Sequence, residues 1–421
     1  MDKSEKKSTK LKNFLKILGP GVVTGASDDD PSGITTYSQA GAQFGLSTLW
    51  TALLTFPLMA AIQGMCARIG LVTSQGLTVT LKQHYSKPLL YIMLLFSFPA
   101  ITLNIGADIQ GMGAVAHLIF PSIPVSVYCV GFTAILMFVI IKYPYQKIAM
   151  ILKWLCLSLL LYMVVPFMVK QDWGLIARNT FIPTIKFNKD FISILVALLG
   201  TTISPYLFFW QATMEAEDMA HSTQKVIVNK QVLGDMKTDV NIGMLLSNVV
   251  MFFIILTAGS VLFPAGIKQI DTVDQAAKAL EPLTGRFTYF IFAIGVLGTG
   301  LLAIPVLAGS QSYMLAETFG WEAGLDKKFP QAKPFYVAII ISLLVGLSLD
   351  FLGISPIKAL LYTAISYGLT APVMIAIVLH IGNNKKIMGA NTNSKLSNIL
   401  GFITLILMTV AAIALIYFLI I

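Results

Sequence analysis

The chain has 421 residues, 56% of them hydrophobic and only 12% charged, with a mean hydropathy of +0.79. Soluble domains carry about 25% charged residues, so the composition excludes a soluble enzyme and describes a chain that crosses a bilayer many times. The net charge of +9 does not mark a nucleic-acid partner, because it is distributed as membrane topology requires.

Met1–Lys12 is a polar, lysine-rich segment without a signal-peptide cleavage pattern. Apolar windows of about 20 residues then predict about eleven spans, near 14–44, 47–73, 88–119, 122–141, 146–169, 190–218, 239–264, 287–316, 334–353, 356–381 and 396–421. The longest polar connections fall near 170–189, 219–238, 265–286 and 317–333, and none resembles a separate soluble domain. The whole of 1–421 therefore reads as a single transmembrane domain.

Two spans are interrupted. In the first, Asp28-Asp29-Asp30-Pro31-Ser32-Gly33 stands in the middle of the apolar stretch. Each carboxylate costs roughly 2.5–3.5 kcal/mol at a bilayer centre, and Pro31 and Gly33 break the helix. Such a segment survives only where it lines a wet cavity or is buried in protein. The sixth span carries Gly200-Thr201-Thr202-Ile203-Ser204-Pro205-Tyr206, after which helix resumes through Gln211. Matching interruptions five spans apart point to inverted repeats with a substrate site at their interface. This predicts an all-α membrane protein of five plus five plus one spans, with repeats at roughly 14–169 and 190–381 and an extra helix at 396–421.

Lysine and arginine set the orientation. With the N-terminus cytoplasmic, 19 fall on inside segments and 8 outside, leaving Arg68 and Lys153 within spans. Eleven spans then place the C-terminus outside the cell membrane. Cys66, Cys129 and Cys156 lie in apolar stretches as packing residues, and the four histidines are scattered, so neither a disulfide framework nor a Cys/His metal cage is expected.

Unwinding a helix frees carbonyls at the end of one half and amides at the start of the next. Free carbonyls with a carboxylate make a cation site. The candidate ligands are the carbonyls near Ser27 and Asp28, the Asp30 carboxylate, the carbonyls of Thr201 to Ile203 and the Ser204 hydroxyl, with Gly33 leaving room beside them. These are hard oxygen donors, which suit Mg²⁺, Ca²⁺ and Mn²⁺. Asp30, directly before Pro31, is the principal ligand. Asp28 and Asp29 either line the access path or accept backbone hydrogen bonds where the helix restarts. Gln211 and Glu215 follow at helical spacing as candidate vestibule residues, with Glu217 and Asp218 in water at the inner end. Asn104 and Asp108 share a face of the third span, and Asp108 is either a relay group or a hydrogen-bond partner of a neighbouring helix. Glycine-bearing stretches at 110–113 and 295–300 allow close helix packing.

These residues resemble the NRAMP family of divalent-metal transporters, in span order over nearly the whole chain. The sharpest part is Gly19-Pro20-Gly21 leading to Asp30-Pro31 and then Gly41-Ala42-Gln43-Phe44-Gly45. The resemblance implies a LeuT-type fold and metal uptake usually coupled to protons. It places the family's aspartate at Asp30, its prolines at Pro31 and Pro205, and its third-helix acid at Asp108. The family's asparagine position is Gly33 here, its methionine Ser204, its histidine Tyr206, and its tenth-helix glutamine falls near Ala364. Losing the sulfur ligand weakens the preference for transition metals. The pattern looks like the NRAMP-related magnesium transporter branch, with a site enlarged for a hydrated ion.

The leading expectation is an alternating-access transporter for Mg²⁺, with Mn²⁺ also carried, no cofactor beyond the transported ion, and Tyr206 at the vestibule. The alternatives are a proton-coupled Mn²⁺/Fe²⁺ transporter and a Na⁺-coupled organic-solute symporter. A non-transporting receptor is disfavoured by the lack of a soluble domain, and an enzyme by the lack of a nucleophile–base pair. Oligomeric state is not legible from the sequence.

Overall fold

The computed structural model describes residues 19–144, 147, 157–221, 228–353 and 355–420. Its principal helices are α1 (Pro20–Asp28), α2 (Pro31–Phe44), α3 (Trp50–Thr73), α4 (Lys87–Ile119), α5 (Val125–Lys142), α6 (Lys189–Thr202), α7 (Pro205–His221), α8 (Lys230–Val261), α9 (Thr288–Phe319), α10 (Lys333–Ser348), α11 (Pro356–Asn383) and α12 (Lys395–Ile420). Among the described residues, nine continuous or near-continuous helical segments are long and apolar enough to cross a membrane, with α6 and α7 forming one of them. The broken first span, α1 and α2, joins them as a tenth. The predicted span at 146–169 falls partly outside the described residues. Its described remainder forms short 3₁₀ turns at Leu157–Met163 and Val165–Phe167 rather than a continuous α-helix.

Both predicted interruptions are real breaks. α1 ends at Asp28, Asp29 leaves helical geometry at φ −83°, ψ 50°, and α2 restarts with Pro31 in its first position. α6 ends at Thr202, Ile203 sits at φ −111°, ψ 58°, and α7 restarts with Pro205. Proline fits the start of each second half because its missing N–H would have no partner there.

The broken spans are the most enclosed part of the bundle. In the sixth, 94% of the most apolar window is buried, against 33% in α12 and 22% in α5. The latter two form the rim, and their apolar outer faces suit lipid. The two broken spans pack on different neighbours: α1 and α2 lie along α8, while α6 lies along α11 and α7 along α3, and α4 crosses both α9 and α11. Glycines make the crossings flush. A Cβ at Gly21 would stand 2.6 Å from the Val240 nitrogen, and one at Gly200 would stand 2.7 Å from the Gly368 Cα. Pro31 has its own socket, since Cβ atoms at Gly111 and Gly300 would come within 3.6 and 3.4 Å of its ring. Gly113 meets Cys129 and Val125 in the same way, so these glycines serve close packing as their spacing predicted.

Some boundaries differ from the sequence reading. α8 starts at Lys230, a few turns before the predicted 239, because Asn229 caps it by accepting from the Gln231 and Val232 amides, each at 2.9 Å. The polar connection 170–189 contains a helix at Trp173–Phe181, capped by Asp172. Cys66 and Cys129 are buried free thiols, as expected of packing residues, and Cys156 lies outside the described residues.

Candidate functional site

The two breaks meet inside the bundle. Tyr206, in the first turn of α7, donates its hydroxyl to the Ser27 carbonyl at 3.0 Å, tying the second break to the last turn of α1. Asp28, Asp29, Asp30, Thr201, Ile203, Ser204 and Tyr206 are all buried, none more than 4% exposed. Polar groups kept at this depth need partners, and those partners define the site.

Asp30 is held at both oxygens. Oδ1 accepts from the Gly33 amide at 2.7 Å, which makes Asp30 the N-cap of α2, and Oδ2 accepts from Asn104 Nδ2 on α4 at 2.9 Å. The expectation that Asp28 or Asp29 would take the amides of the restarting helix is therefore corrected. The cap belongs to Asp30, because the residue directly before the proline is the one whose side chain reaches the third amide beyond it. Asp28 and Asp29 instead share the Ser247 hydroxyl of α8, at 2.7 and 3.4 Å. The second oxygen of Asp28 has no partner.

Behind Asp30 runs a hydroxyl relay. The Thr363 hydroxyl of α11 lies 3.2 Å from Asn104 Oδ1 and 3.0 Å from the Ser32 hydroxyl, and Ser32 donates to the Leu360 carbonyl at 2.8 Å. Asn104 is thus oriented by Thr363 while it holds Asp30. Gly33 faces the same space: a Cβ there would stand 3.2 Å from the Asp28 carbonyl and 3.5 Å from Asp30 Oδ1. Any longer side chain would project between them.

The second break is furnished differently. The Ser204 hydroxyl turns back on its own helix and donates to the Thr201 carbonyl at 2.5 Å, with the Gly200 carbonyl at 3.2 Å. The sequence reading had it facing Asp30 as a free donor oxygen; its proton is instead engaged locally, as serine beside a helix end commonly arranges. Two of the expected carbonyls are likewise occupied, Ser27 by Tyr206 and Thr201 by Ser204. Each carbonyl oxygen keeps a second lone pair.

Asp108 is fully buried, and neither carboxylate oxygen closes a hydrogen bond. The Ser32 amide lies near it, but no bond from a neighbouring helix is closed. Sequence reasoning missed its neighbour, Tyr367. This α11 residue is 1% exposed, packs its ring 5.7 Å from that of Tyr206, and leaves its hydroxyl unpartnered beside Asn104, Asp30 and Asp108. Its signal was available: Tyr367 follows Thr363 by four residues, which puts both on one helix face.

Gln211 and Glu215 lie on the other side of the break. Thr24 donates to Gln211 Oε1 at 2.6 Å, and Gln211 Nε2 donates to Glu215 Oε1 at 2.9 Å. Both are buried and bind each other and α1, so they join helices rather than stand apart in a vestibule. Glu217 is half-buried and accepts from the Tyr313 hydroxyl at 2.7 Å, against the expectation of free solvation, while Asp218 is exposed. Among the described residues no three His, Cys, Asp or Glu side chains converge as a metal cage. Asp30 is the carboxylate that caps the restarting helix, with Asp28, Asp29 and Asp108 buried close by, and carbonyl, hydroxyl and amide groups complete the surround.

Residues 21–418 match the profile of the Nramp family, described as natural resistance-associated macrophage protein-like. The chain belongs to the Nramp family. Two Nramp relatives, both described as divalent metal cation transporter MntH, come from Caldanaerobacter subterraneus subsp. tengcongensis and Clostridium acetobutylicum. The first is 25% identical over 93% of this chain and 90% of its own length, and the second 26% over 97% and 92%. Among solved structures, a manganese transporter from Eremococcus coleocola superposes with a TM-score of 0.77 at 17% identity, covering 96% of this chain and 87% of that one. Mhp1, described as a nucleobase-cation-symport-1 family transporter, superposes at 0.56 with 13% identity, covering 94% and 92%. The all-helical fold expected from the apolar spans, LeuT-type as the resemblance implied, is the fold of this Nramp chain. Its relatives are membrane transporters, and the chain is not an enzyme.

Proposed function

We propose that this chain carries divalent metal cations across a membrane by alternating access, with Mg²⁺ as the preferred substrate and Mn²⁺ also carried. The observation that carries the reading is that the acceptor atoms offered beside Asp30 are oxygens, its own two contacts being N–H donors from Gly33 and Asn104. Ser204 and Tyr206 stand at the positions where the family's pattern has methionine and histidine, so no thioether or imidazole reaches the ion. Soft ligands select transition metals, whereas carboxylate, carbonyl and water suit Mg²⁺. Mg²⁺ also sheds water reluctantly and is held through one or two carboxylates and several waters. The absent side chain at Gly33 and the unpartnered oxygens of Asp108 and Tyr367 suit an ion that keeps part of its hydration shell. In this reading Ser27, Asp28, Thr201 and Ile203 offer carbonyls, Asp30 supplies the charge, and Asp108 with Tyr367 accepts from bound water.

An inward-negative potential supplies about 2.3 kcal/mol per charge per 100 mV, hence about 4.6 kcal/mol for a dication. That drives uptake without protons in the orientation given by the lysine count. The 14–169 and 190–381 repeats would rock against each other about the breaks, and 396–421 would stand outside the exchange.

A second reading is favoured by the relatives' descriptions, which specify divalent cations in general and, for the Eremococcus coleocola structure, manganese. It makes Mn²⁺ the preferred ion. A competition flux assay in proteoliposomes with Mg²⁺, Mn²⁺ and Ca²⁺, with internal pH recorded, separates the two. Mg²⁺ outcompeting at equal concentration without acidification supports the first. Saturation by micromolar Mn²⁺ in a hundredfold excess of Mg²⁺ overturns it.

A further inference from the structure

Asp239 belongs to α8, yet it caps α1. Its carboxylate accepts the Gly19 amide at 2.8 Å, the Gly21 amide at 2.6 Å and the Val22 amide at 3.2 Å. Pro20 has no N–H, so these are all the amide donors of residues 19–22. α1 has no side-chain cap of its own. A carboxylate at a helix N-terminus is favoured both by those amides and by the helix dipole. Asp239 is 2% exposed, and the crossing around it is flush, because Cβ atoms at Gly21, Gly25 or Gly243 would collide with the facing backbone. One turn further on, Thr24 is fastened to Gln211 of α7, which in turn donates to Glu215.

α1 has nine residues and is therefore about 13 Å long. Its far end carries the Ser27 carbonyl and Asp28. A short rigid rod fixed at one end has its other end placed. We propose that Asp239 is a positioning residue: it fastens the start of α1 to α8 on the side that lysine counting assigns to the cytoplasm. Its three amides must be released whenever that side of the site opens. This rests on the alternating-access reading above, and its test needs no ion.

The rate at which a membrane-impermeant thiol reagent labels Val22→Cys from the N-terminal side is measured with Cys66, Cys129 and Cys156 replaced by alanine. Asp239→Asn is expected to raise that rate about tenfold, while Ser342→Cys, buried in α10, labels no faster. The apparent KM for ion entering from the opposite side should rise several-fold, with Asp239→Glu recovering part of both effects. An unchanged Val22→Cys rate, or an equal rise at Ser342→Cys, overturns the proposal. Amide exchange in the unsubstituted chain gives a check that no folding defect can obscure: Gly21 and Val22 should be strongly protected, and exchange at unprotected rates also overturns it. Loss of the ion reading would leave these labelling results untouched, so the two can fail separately.

Discussion

The two breaks share one backbone device and use it in opposite ways. Each leaves two residues between helical halves, Asp29-Asp30 and Ile203-Ser204, and each restarts on a proline. At the first, the residue before the proline reaches forward and caps the new helix, fixing its carboxylate between Gly33 and Asn104. At the second, Ser204 reaches backward and closes the old helix. The difference shows how the same break can either present a carboxylate held by donors from a neighbouring helix or close upon itself. A carboxylate at this depth needs donors, and at the first break Asn104 of α4 supplies one, itself held by Thr363 of α11; at the second break Ser204 bonds only to its own helix.

The sharpest way to break this comparison is to separate cap from charge at Asp30. Asp30→Asn keeps an acceptor for Gly33 and loses the charge; Asp30→Ala loses both. Divalent flux into proteoliposomes should fall to background for either, a loss of at least about 100-fold. Only the alanine variant should also lose the roughly 1 kcal/mol of an N-cap, seen as a lower midpoint in thermal unfolding. Wild-type flux in Asp30→Asn would end the assignment of Asp30 as the ion's carboxylate.

A smaller effect is expected from making the second break soft. Ser204→Met with Gly33→Asn introduces a thioether and fills the space between the Asp28 carbonyl and Asp30. The Mn²⁺-to-Mg²⁺ preference, read as a ratio of competition constants, should rise about tenfold, or 1.4 kcal/mol. An unchanged ratio places Ser204 away from the ion.

Removing the clasp between the breaks should matter less. Tyr206→Phe deletes the bond to the Ser27 carbonyl and is expected to lower stability by about 1 kcal/mol and flux by a few-fold. Tyr367→Phe should do the reverse to stability. Its hydroxyl has no partner to lose, so denaturation midpoints should stay level or rise by a few tenths of a kcal/mol, while KM for Mg²⁺ rises and KM for Mn²⁺ stays nearly level. A Tyr367→Phe variant that unfolds more readily would mean that the hydroxyl is bonded in the resting protein.

Much of this was legible in the chain because its signals are local. Asp-Pro and Ser-Pro inside apolar stretches announce breaks through the missing proline N–H and the expense of buried acid. The i, i+4 pair Asn104 and Asp108 announced a polar face on α4. What stayed hidden depends on partners far along the chain or on which of two nearby acceptors a side chain chooses. Asp239 finds amides 217–220 residues away, and it sat in the sequence as one acid at the edge of a predicted span. Ser204 had carbonyls behind it and an acid ahead, and composition does not say which it takes. Ser247 reads as an ordinary residue of an apolar helix until the first break comes to rest against it, and the i, i+4 pair Thr363 and Tyr367 marks a polar face of α11 without saying what that face meets.

The anchoring of Asp30 from two sides has a kinetic corollary. A side chain pinned at each oxygen cannot swivel to wrap a visitor, and it loses little rotational freedom when one arrives. Such a host is ready without rearrangement and grips without enclosing. It suits rapid handover of an abundant guest rather than scavenging of a scarce one.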